Sequence, residues 1–303
     1  MRCLFMYNPV SGRGKIAKKA DAIVRALRSK YEIVDVYATK ETGDMERAAR
    51  EGADSYDALI FSGGDGSFNE VVQGVMTASR MPEIGYIPGG TVNDIAHSLG
   101  IPKRIGGALK VILSGKNEML DCMRINDRYA MYVVAAGAFT SASYTTPQSQ
   151  KKKVGRLAYG IEGIRKNMNL SVFGVNIKCD NMTVQADSVF VSFMNGRYVA
   201  GMKLNRGGSM QDGKLEAAVV LQKKHPNIFR KIRAFFSLAH LFLLGYKVRA
   251  RLITRLEGSH FEVRTDDAVV WNFDGEKGVS GNVVIDVLPR KINMIVPKKR
   301  NDF

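Results

Sequence analysis

Short apolar runs and amphipathic stretches alternate along the first third of the chain. The apolar runs predict strands over 2–7, 32–37, 58–62 and 84–87. The amphipathic stretches between them predict helices over 14–29, 44–52 and 68–76. Such a repeat is typical of an α/β sheet whose functional loops follow the carboxyl ends of the strands.

The pattern changes after about residue 121, where short strands separated by turns replace the alternation. Strands are predicted over 129–135, 171–178, 182–186, 188–195, 214–221, 260–265, 269–273 and 282–288. This spacing favours an antiparallel β-sandwich, interrupted by one basic and then apolar helix over 226–246. We therefore expect an α/β domain over 1–122 and a sandwich over 123–288, with 289–303 as a candidate return to the first domain.

Composition and charge narrow the class of protein. A chain of 303 residues, 45% of them hydrophobic, can bury two cores. Three cysteines and four histidines show no ligand spacing, so we expect a reducing compartment and no disulfide or zinc site. No apolar run approaches a membrane span, which predicts a cytoplasmic protein. The formal charge of +16 indicates polyanionic partners: nucleic acid, an anionic membrane or phosphorylated substrates.

The first strand is followed by a glycine turn over 8–15, where backbone N–H groups and a helix dipole could hold phosphate. It is not a Walker A loop, because no Ser or Thr follows Lys15. Gly12, Gly14 and Ala17, with Asp35 further on, match a weak dinucleotide signature. An ordinary turn closing a βα unit is the alternative.

A more specific turn runs from Ser62 to Glu70, with three glycines around Asp65. Glycines let the backbone approach a ligand closely, and Ser67 and Asn69 add donors at a helix start. A carboxylate beside phosphates would repel them unless it holds a cation or a proton. Asp65 is therefore a candidate for Mg²⁺ or for the nucleophilic hydroxyl, with a simple helix cap as the alternative.

The turn over 88–94 repeats this design after the next strand, so two adjacent loops could clamp one nucleotide. Thr91 and Asn93 are candidates for phosphate contacts, and Asp94 for a helix cap.

Together, Asn8 to Gly12, the GGDGSFNE of 63–70 and the GTVND of 90–94 resemble the catalytic domain of the diacylglycerol kinase family, in its bacterial soluble lipid kinases and their sphingosine kinase-like relatives. The resemblance continues through 144–147, 154–155, 211–213 and 274–276. It implies an α/β nucleotide-binding domain and a β-sandwich lipid domain flanking a cleft.

The same resemblance assigns roles residue by residue. The family's ATP-binding positions fall on Asn8, Pro9, Val10, Ser11, Gly12, Thr39, Gly64, Asp65, Gly66, Ser67, Phe68, Asn69, Glu70 and Thr91. Ser67 replaces the usual threonine and keeps its hydroxyl. The catalytic candidates are Glu276 as proton acceptor, Asp274 beside it, and Asp65.

The resemblance also implies a structural Mg²⁺ site. Asp212 matches its carboxylate ligand, and the backbone carbonyls of Ser209 and Lys214 complete it. Asp121 matches an acidic position near the hinge between domains.

These residues predict a kinase that uses ATP and Mg²⁺ to phosphorylate the hydroxyl of a membrane lipid. Diacylglycerol is the first candidate for that lipid, and a sphingoid base, ceramide or an isoprenoid alcohol is the alternative. A kinase of a soluble substrate, in the manner of NAD kinase or phosphofructokinase, shares the GGDG turn and stays open. The hypothesis of a dehydrogenase rests only on the weak dinucleotide signature of Gly12, Gly14 and Ala17. A nonenzymatic binder of lipid or nucleic acid would not need Asp65, Asp274 and Glu276.

The expected partners are ATP, the lipid and, peripherally, an anionic membrane, and not nucleic acid; exposed edge strands leave a homodimer open. Basic patches at 151–153 and over 223–233 are candidates for membrane contact. The apolar part of the helix over 226–246 could lie in the membrane interface, line an acyl-chain pocket, or pack on the sandwich.

Overall fold

The computed structural model describes residues 1–138, 171–180, 182–246 and 251–298. The chain divides into two compact units. Unit 1 comprises Met1–Cys122 with Leu288–Phe303, and unit 2 comprises Met123–Val287. Two strands carry the chain from one unit into the other, β5 (Lys116–Ile125) and β17 (Val283–Val296).

Unit 1 is built on a parallel sheet. Its strands are β1 (Arg2–Tyr7), β2 (Ile33–Ala38), β3 (Ala58–Gly63), β4 (Glu83–Pro88) and the last part of β17. They follow the order β17–β4–β3–β1–β2, and the parallel register pairs Phe5 with Ile60 and Ile60 with Gly85. Every residue of β3 is buried, as expected of a central strand covered on both faces.

Five helices accompany this sheet: α1 (Ala20–Leu27), α2 (Asp44–Ala53), α3 (Asp65–Met76), α4 (Asp94–Ser98) and α5 (Ile105–Ser114). Helix α2 packs on α3, and α5 packs on both β4 and α1. The predicted helix over 14–29 is shorter than expected. Gly12 and Gly14 take positive φ angles of 59° and 73°, so short 3-10 turns occupy 11–14 and 17–19 before α1 begins.

Unit 2 consists of antiparallel strands. After β5 they are β6 (Arg128–Ala130), β7 (Val133–Gly137), β8 (Phe173–Cys179), β9 (Met182–Met194), β10 (Tyr198–Val199), β11 (Met202–Lys203), β12 (Leu215–Leu221), β13 (Ile253–Gly258), β14 (His260–Thr265), β15 (Val270–Phe273) and β16 (Glu276–Ser280). The order is β16–β15–β7–β9–β8–β14–β17, with β12 between β9 and β13 and a separate β10–β11 pair.

The sandwich contains four strands that were not predicted, β10, β11, β13 and β16. Two of the predicted regions are also divided differently. The strands predicted over 182–186 and 188–195 form one continuous strand, β9, which pairs with β8 and then with β7 and β12. The strand predicted over 129–135 is instead divided into β6 and β7. The core beneath contains an aromatic cluster in which the Phe193 ring lies 5.0 Å from that of Phe261 and 6.2 Å from that of Trp271.

One long helix, α6 (Ile228–Leu244), lies where a basic and then apolar helix is predicted. Its first turn is capped by Asn227, whose side chain accepts the N–H of Arg230, and it ends at Gly245, where φ is +79°. The helix packs on β12. Within the described ranges, no helix is long and apolar enough to cross a membrane.

Candidate active site

Three loops of unit 1 lie side by side because β1, β3 and β4 are parallel neighbours. The N–H of Gly89 donates to Gly63 O over 2.7 Å, and the N–H of Asn8 donates to Ser62 O over 3.3 Å. The structure thus brings together the three glycine turns that the sequence singles out, at the carboxyl edge of the sheet where ligands of α/β folds bind.

Glycine is required where these loops meet. A Cβ on Gly90 would lie 2.6 Å from the Cα of Gly64, and one on Gly64 would lie 3.3 Å from the Cα of Gly90. Such approaches leave no room for a side chain between the loops. The surface they form therefore consists largely of backbone, and N–H groups at the start of a helix are favourable partners for phosphate.

Asn93 shapes the third loop from within. Its φ is 56°, its Oδ1 accepts the N–H of Gly90 over 2.9 Å, and its Nδ2 donates to Gly90 O over 2.8 Å. The hydroxyl of Tyr86 lies 3.1 Å from both Gly63 O and Asn93 Oδ1. Asn93 is buried and Thr91 is exposed, so Thr91 is the polar side chain of this loop that is open to a ligand. Sequence reasoning missed Tyr86, which reads only as part of an apolar strand.

Asp65 is the first residue of α3, and its Oδ2 accepts the N–H of Asn93 over 2.8 Å. Burial raises the pKa of Asp65, and the N–H groups of Asn93, Asp94 and Ile95 at the start of α4 partly oppose that rise. Its Oδ1 is buried and has no hydrogen-bond partner among the residues that the structure describes. A carboxylate oxygen in this state is suited to holding a cation or a hydroxyl proton.

Two further side chains of the GGDGSFNE motif, Phe68 and Asn69, point into the protein interior. The ring of Phe68 is buried, 5.6 Å from the ring of Phe61 and 5.5 Å from that of Tyr86. Asn69 is also buried and accepts a 3.3 Å hydrogen bond from Gln73. Of this motif, Gly64 precedes α3 and Asp65 to Ser67 begin its first turn, and Phe68 and Asn69 support that turn from the core.

Glu70 stabilises a neighbouring helix start. Burial raises the pKa of its carboxylate, and the N–H groups of Gly43, Met45 and Glu46 at the beginning of α2, which face it, partly oppose that rise. Thr39 lies just before this helix, buried, with its N–H donating to Tyr7 O over 3.0 Å. Both predicted ATP-binding positions thus order the loop between β2 and α2.

The loop after β1 is more open. Asn8 closes it, with its Oδ1 accepting the N–H of Val10 over 3.0 Å and its carbonyl accepting the N–H of Ser11 over 3.1 Å. Val10 is 80% exposed. An apolar side chain so exposed beside glycine loops is a candidate contact for a nucleotide.

Unit 2 carries the predicted Asp274-Gly275-Glu276 turn as a two-residue hairpin between β15 and β16. Both central residues have positive φ, 51° at Asp274 and 94° at Gly275, which is the signature of a type I′ turn. Phe273 pairs with Glu276 across it, and Glu276 is exposed. In the described part of the chain, no hydrogen bond or ion pair engages the Glu276 carboxylate.

Asp274 is buried, and its carboxylate accepts three backbone N–H groups. The donors are Met131 at 2.6 Å, Tyr132 at 2.9 Å and Val133 at 3.0 Å. The Tyr132 hydroxyl returns a 2.9 Å bond to the carbonyl of Asp274. These bonds separate β6 from β7 and fix the hairpin that presents Glu276.

The predicted metal residues lie in a tight turn before β12. Asp212 Oδ1 accepts the N–H of Lys214 over 3.1 Å, and Ser209 Oγ accepts the N–H of Gln211 over 3.2 Å. Burial raises the pKa of nearby Glu216; a 2.6 Å hydrogen bond from Asn205 opposes this, and the charge of Asp212 adds to it.

A cation in this turn would have to be held mostly by carbonyl groups and water. No cluster of three or more His, Cys, Asp or Glu side chains suited to a metal occurs in the described ranges. Mg²⁺ needs only one or two carboxylates, with the remaining ligands from water or carbonyl groups. Asp212 would supply the carboxylate, and the carbonyls of Ser209 and Lys214 are the other ligands predicted from the sequence.

The remaining motifs predicted from the sequence either lie outside the described residues or have a structural role. The segments 144–147 and 154–155 and the basic loop 151–153 lie outside the described residues. Asp121 is buried in unit 1, where its Oδ1 accepts the N–H of Arg290 over 2.8 Å. It therefore ties the returning strand β17 to β5.

Comparison with known proteins agrees with this architecture. The family model of the diacylglycerol kinase catalytic domain matches residues 2–125, and that of the YegS C-terminal NAD kinase beta sandwich-like domain matches residues 132–296. Diacylglycerol kinases of Staphylococcus aureus strains bovine RF122 / ET3-1 and MRSA252 are each 35% identical over 225 residues, covering 72% of this chain and 70% of theirs.

Solved structures confirm the fold. A Bacillus anthracis str. Sterne protein assigned to the diacylglycerol kinases superimposes with a TM-score of 0.83 at 24% identity, covering 97% of both chains. A diacylglycerol kinase of the same strain gives 0.78 at 21% identity, covering 97% of this chain and 96% of that one. The predicted fold, an α/β domain followed by a β-sandwich, and the resemblance stated from the motifs are both confirmed, and the chain belongs to the diacylglycerol kinase family of lipid kinases.

Proposed function

We propose that this protein transfers the γ-phosphoryl group of ATP, with Mg²⁺, to the hydroxyl of a membrane lipid, foremost diacylglycerol, which would yield phosphatidic acid. The observation that carries the proposal is the buried Oδ1 of Asp65, which lacks a hydrogen-bond partner in the described structure and lies among three glycine loops. Phosphate-binding backbone beside a buried carboxylate oxygen that could hold Mg²⁺ is the arrangement that metal-assisted phosphoryl transfer uses.

The chain's own residues then divide the work. Backbone N–H groups of the loops after β1, β3 and β4, with Ser67 and Thr91, would orient the phosphates. Asp65 would hold the cation. When bound, Mg²⁺ neutralises the charge that spreads over the transferring phosphoryl group.

The acceptor hydroxyl must lose a proton as it attacks. Glu276 is exposed and hydrogen-bonds to no described residue, so it is free to accept that proton. Asp274 acts through its three backbone hydrogen bonds, as a positioning residue that holds the hairpin. Asp212 would hold a second, structural cation in the turn before β12.

A lipid acceptor requires contact with a bilayer surface. The net charge of +16 favours an anionic leaflet, because each Lys or Arg near such a surface contributes about 1 kcal/mol. We therefore include peripheral association with an anionic membrane in the proposal.

A soluble acceptor is the second candidate, because the sandwich matches a family described as NAD kinase beta sandwich-like. Other lipid alcohols, such as sphingoid bases, ceramide and isoprenoid alcohols, also offer a hydroxyl beside long chains. The shape of the acceptor pocket decides among them.

Transfer of labelled γ-phosphate from ATP to a panel of these acceptors tests the proposal. The lipids are presented in mixed micelles with anionic phospholipid, with and without Mg²⁺, and NAD is presented in solution. We expect Mg²⁺-dependent label in diacylglycerol. Label in NAD and in no lipid would overturn the lipid assignment, and label without Mg²⁺ would overturn the cation.

A further inference from the structure

Helix α6 has two apolar faces, and only one of them is covered. Ala234, Leu238 and Leu241 are buried where the helix packs on β12. The Phe242 ring lies 5.6 Å from that of Phe190 on β9, which anchors the helix further. The buried face is therefore sufficient to hold α6 on the sandwich.

The opposite face exposes large apolar side chains at helical spacing. Phe229 is 78% exposed, Phe236 64%, Leu243 58% and Ile232 47%. Steps of three, four and seven residues place these four side chains in one stripe along the helix. Leu244, 47% exposed, widens the stripe at its carboxyl end. We call these five residues the α6 stripe. The half-buried His240 lies between Phe236 and Leu243 on this face. An exposed apolar stripe of this size marks a contact surface rather than ordinary surface variation.

The charge around the stripe indicates the partner. Between Glu216 and Glu257 the forty residues 217–256 contain nine Lys or Arg and no Asp or Glu. Arg230, Lys231 and Arg233 on the first two turns are exposed, as are Lys223 and Lys224 just before the helix. Phenylalanine and leucine on one face with cations beside them are typical of helices that lie in the surface of an anionic bilayer.

A protein partner fits this surface less well. Interfaces between proteins enrich aromatic residues but deplete lysine, and a second copy of this chain would bring its own cations against these. An anionic leaflet, in contrast, satisfies the apolar stripe and the cations at once.

We propose that the α6 stripe inserts into the headgroup region of an anionic phospholipid bilayer, with the flanking cations on the lipid phosphates, and so docks this enzyme on the surface that holds its acceptor. The biological role of this docking, bringing the enzyme to its lipid acceptor, rests on the proposed function. Its test uses neither ATP nor diacylglycerol, so docking and catalysis can fail separately.

The experiment is sedimentation of the full chain with vesicles of phosphatidylglycerol and phosphatidylcholine. The double variant Phe229→Ser/Phe236→Ser should bind at least about ten-fold more weakly, because two large apolar side chains no longer enter the lipid. The matched control is Ile33→Ser/Val36→Ser, which changes two exposed apolar residues on β2 and should bind like the parent. Equal binding by the parent and the α6 double variant would overturn the proposal.

Fluorescence gives a readout that does not depend on removing the stripe. The chain has one tryptophan, Trp271, which is buried and whose emission should not respond to lipid. In a Phe236→Trp variant the emission should shift to shorter wavelength on addition of anionic vesicles, and an Ile33→Trp variant should not shift. No shift at position 236 would contradict insertion.

Two further arms separate the sources of binding. Arg230→Gln/Lys231→Gln/Arg233→Gln should weaken binding by about five-fold per charge, and vesicles of phosphatidylcholine alone should bind the parent weakly. Size exclusion of the parent and the double phenylalanine variant tests the second copy. If the variant turns a dimer into a monomer while vesicle binding persists, the stripe is a homodimer interface and the membrane proposal is wrong.

Discussion

Asp65 and Asp274 each follow a buried strand and each carry a carboxylate withdrawn from water, yet the backbone around them differs. Asp274 receives three N–H groups within 3.0 Å. Asp65 accepts a 2.8 Å bond from the N–H of Asn93 and faces the N–H groups of Asp94 and Ile95, yet its buried Oδ1 has no hydrogen-bond partner in the described structure. A fully hydrogen-bonded buried charge supports the fold, whereas an incompletely bonded one lowers stability and is retained where a ligand completes it.

The largest expected effect comes from the residue that Asp274 positions. Glu276→Gln should lower kcat by about 100-fold or more, because a positioned general base contributes 10²–10⁴-fold. Stability should change by less than about 0.5 kcal/mol, since Glu276 is exposed. Steady-state kinetics with ATP and diacylglycerol, together with urea unfolding, measures both. Full activity in the variant would remove Glu276 from the reaction.

Asp65→Asn should separate function from stability. We expect activity to fall by about 100-fold, since one electrostatic group at the transferring phosphoryl is lost. Asparagine keeps an acceptor for the N–H of Asn93, so the fold should persist.

The stability of this variant should depend on pH in a defined direction. Burial raises the pKa of Asp65 in the folded state, so the folded protein binds this proton more tightly than the unfolded chain does. In the parent protein, the contribution of Asp65 to the unfolding free energy is fully present below its pKa in the unfolded chain. It is lost as the pH rises through its pKa in the folded state. The variant should therefore gain stability relative to the parent as the pH rises above the unfolded Asp value of about 4. If the unfolding free energies of parent and variant changed with pH in the same way, the pKa of Asp65 would not differ between the folded and unfolded states.

Asp274 should show the reverse balance. Asp274→Ala leaves three buried N–H groups without an acceptor and puts alanine at a φ of 51°, so unfolding free energy should fall by about 3 kcal/mol or more. Asp274→Asn tolerates that φ and should lose less. Activity per folded molecule should fall less in Asp274→Asn than in Asp65→Asn. A greater loss would mean that the Asp274 carboxylate itself takes part in the reaction.

The smallest effect concerns the turn of Asp212. If this turn holds a cation, Mg²⁺ should raise the melting temperature of the parent, and Asp212→Ala should abolish the rise. Mg²⁺ at about 100 times its Kd would add about 2.7 kcal/mol. Asp187→Ala, elsewhere in unit 2, is a control that should keep the Mg²⁺ response. Equal melting of the parent with and without Mg²⁺ would reject the site.

Local patterns were enough to predict β1 to β4 of unit 1 and its glycine turns, but not β5 or the last part of β17. The apolar run over 58–62 corresponds to β3, and the turn beside it contains Asp65. Helices α4 and α5 were not predicted, because α4 is only five residues long and α5 contains two glycines in its first turn.

What the sequence could not show depends on contacts between distant residues. The break between β6 and β7 comes from Asp274, which is 143 residues away from Met131. The roles of Phe68 and Glu70 as core and helix-start residues likewise depend on neighbours outside the motif. The exposed stripe of α6 became visible only once the opposite face was known to be buried.

The path of β17 has a consequence for the order in which the chain folds on the ribosome. Met294, near its end, pairs with Ile84 of β4, so unit 1 lacks one strand of its sheet until almost the whole described chain has been synthesised. Unit 2 ends at Val287 and is completed earlier. The unit that begins the chain is therefore the last to finish folding, and until then β4 presents an open edge that a nascent-chain chaperone would have to shield.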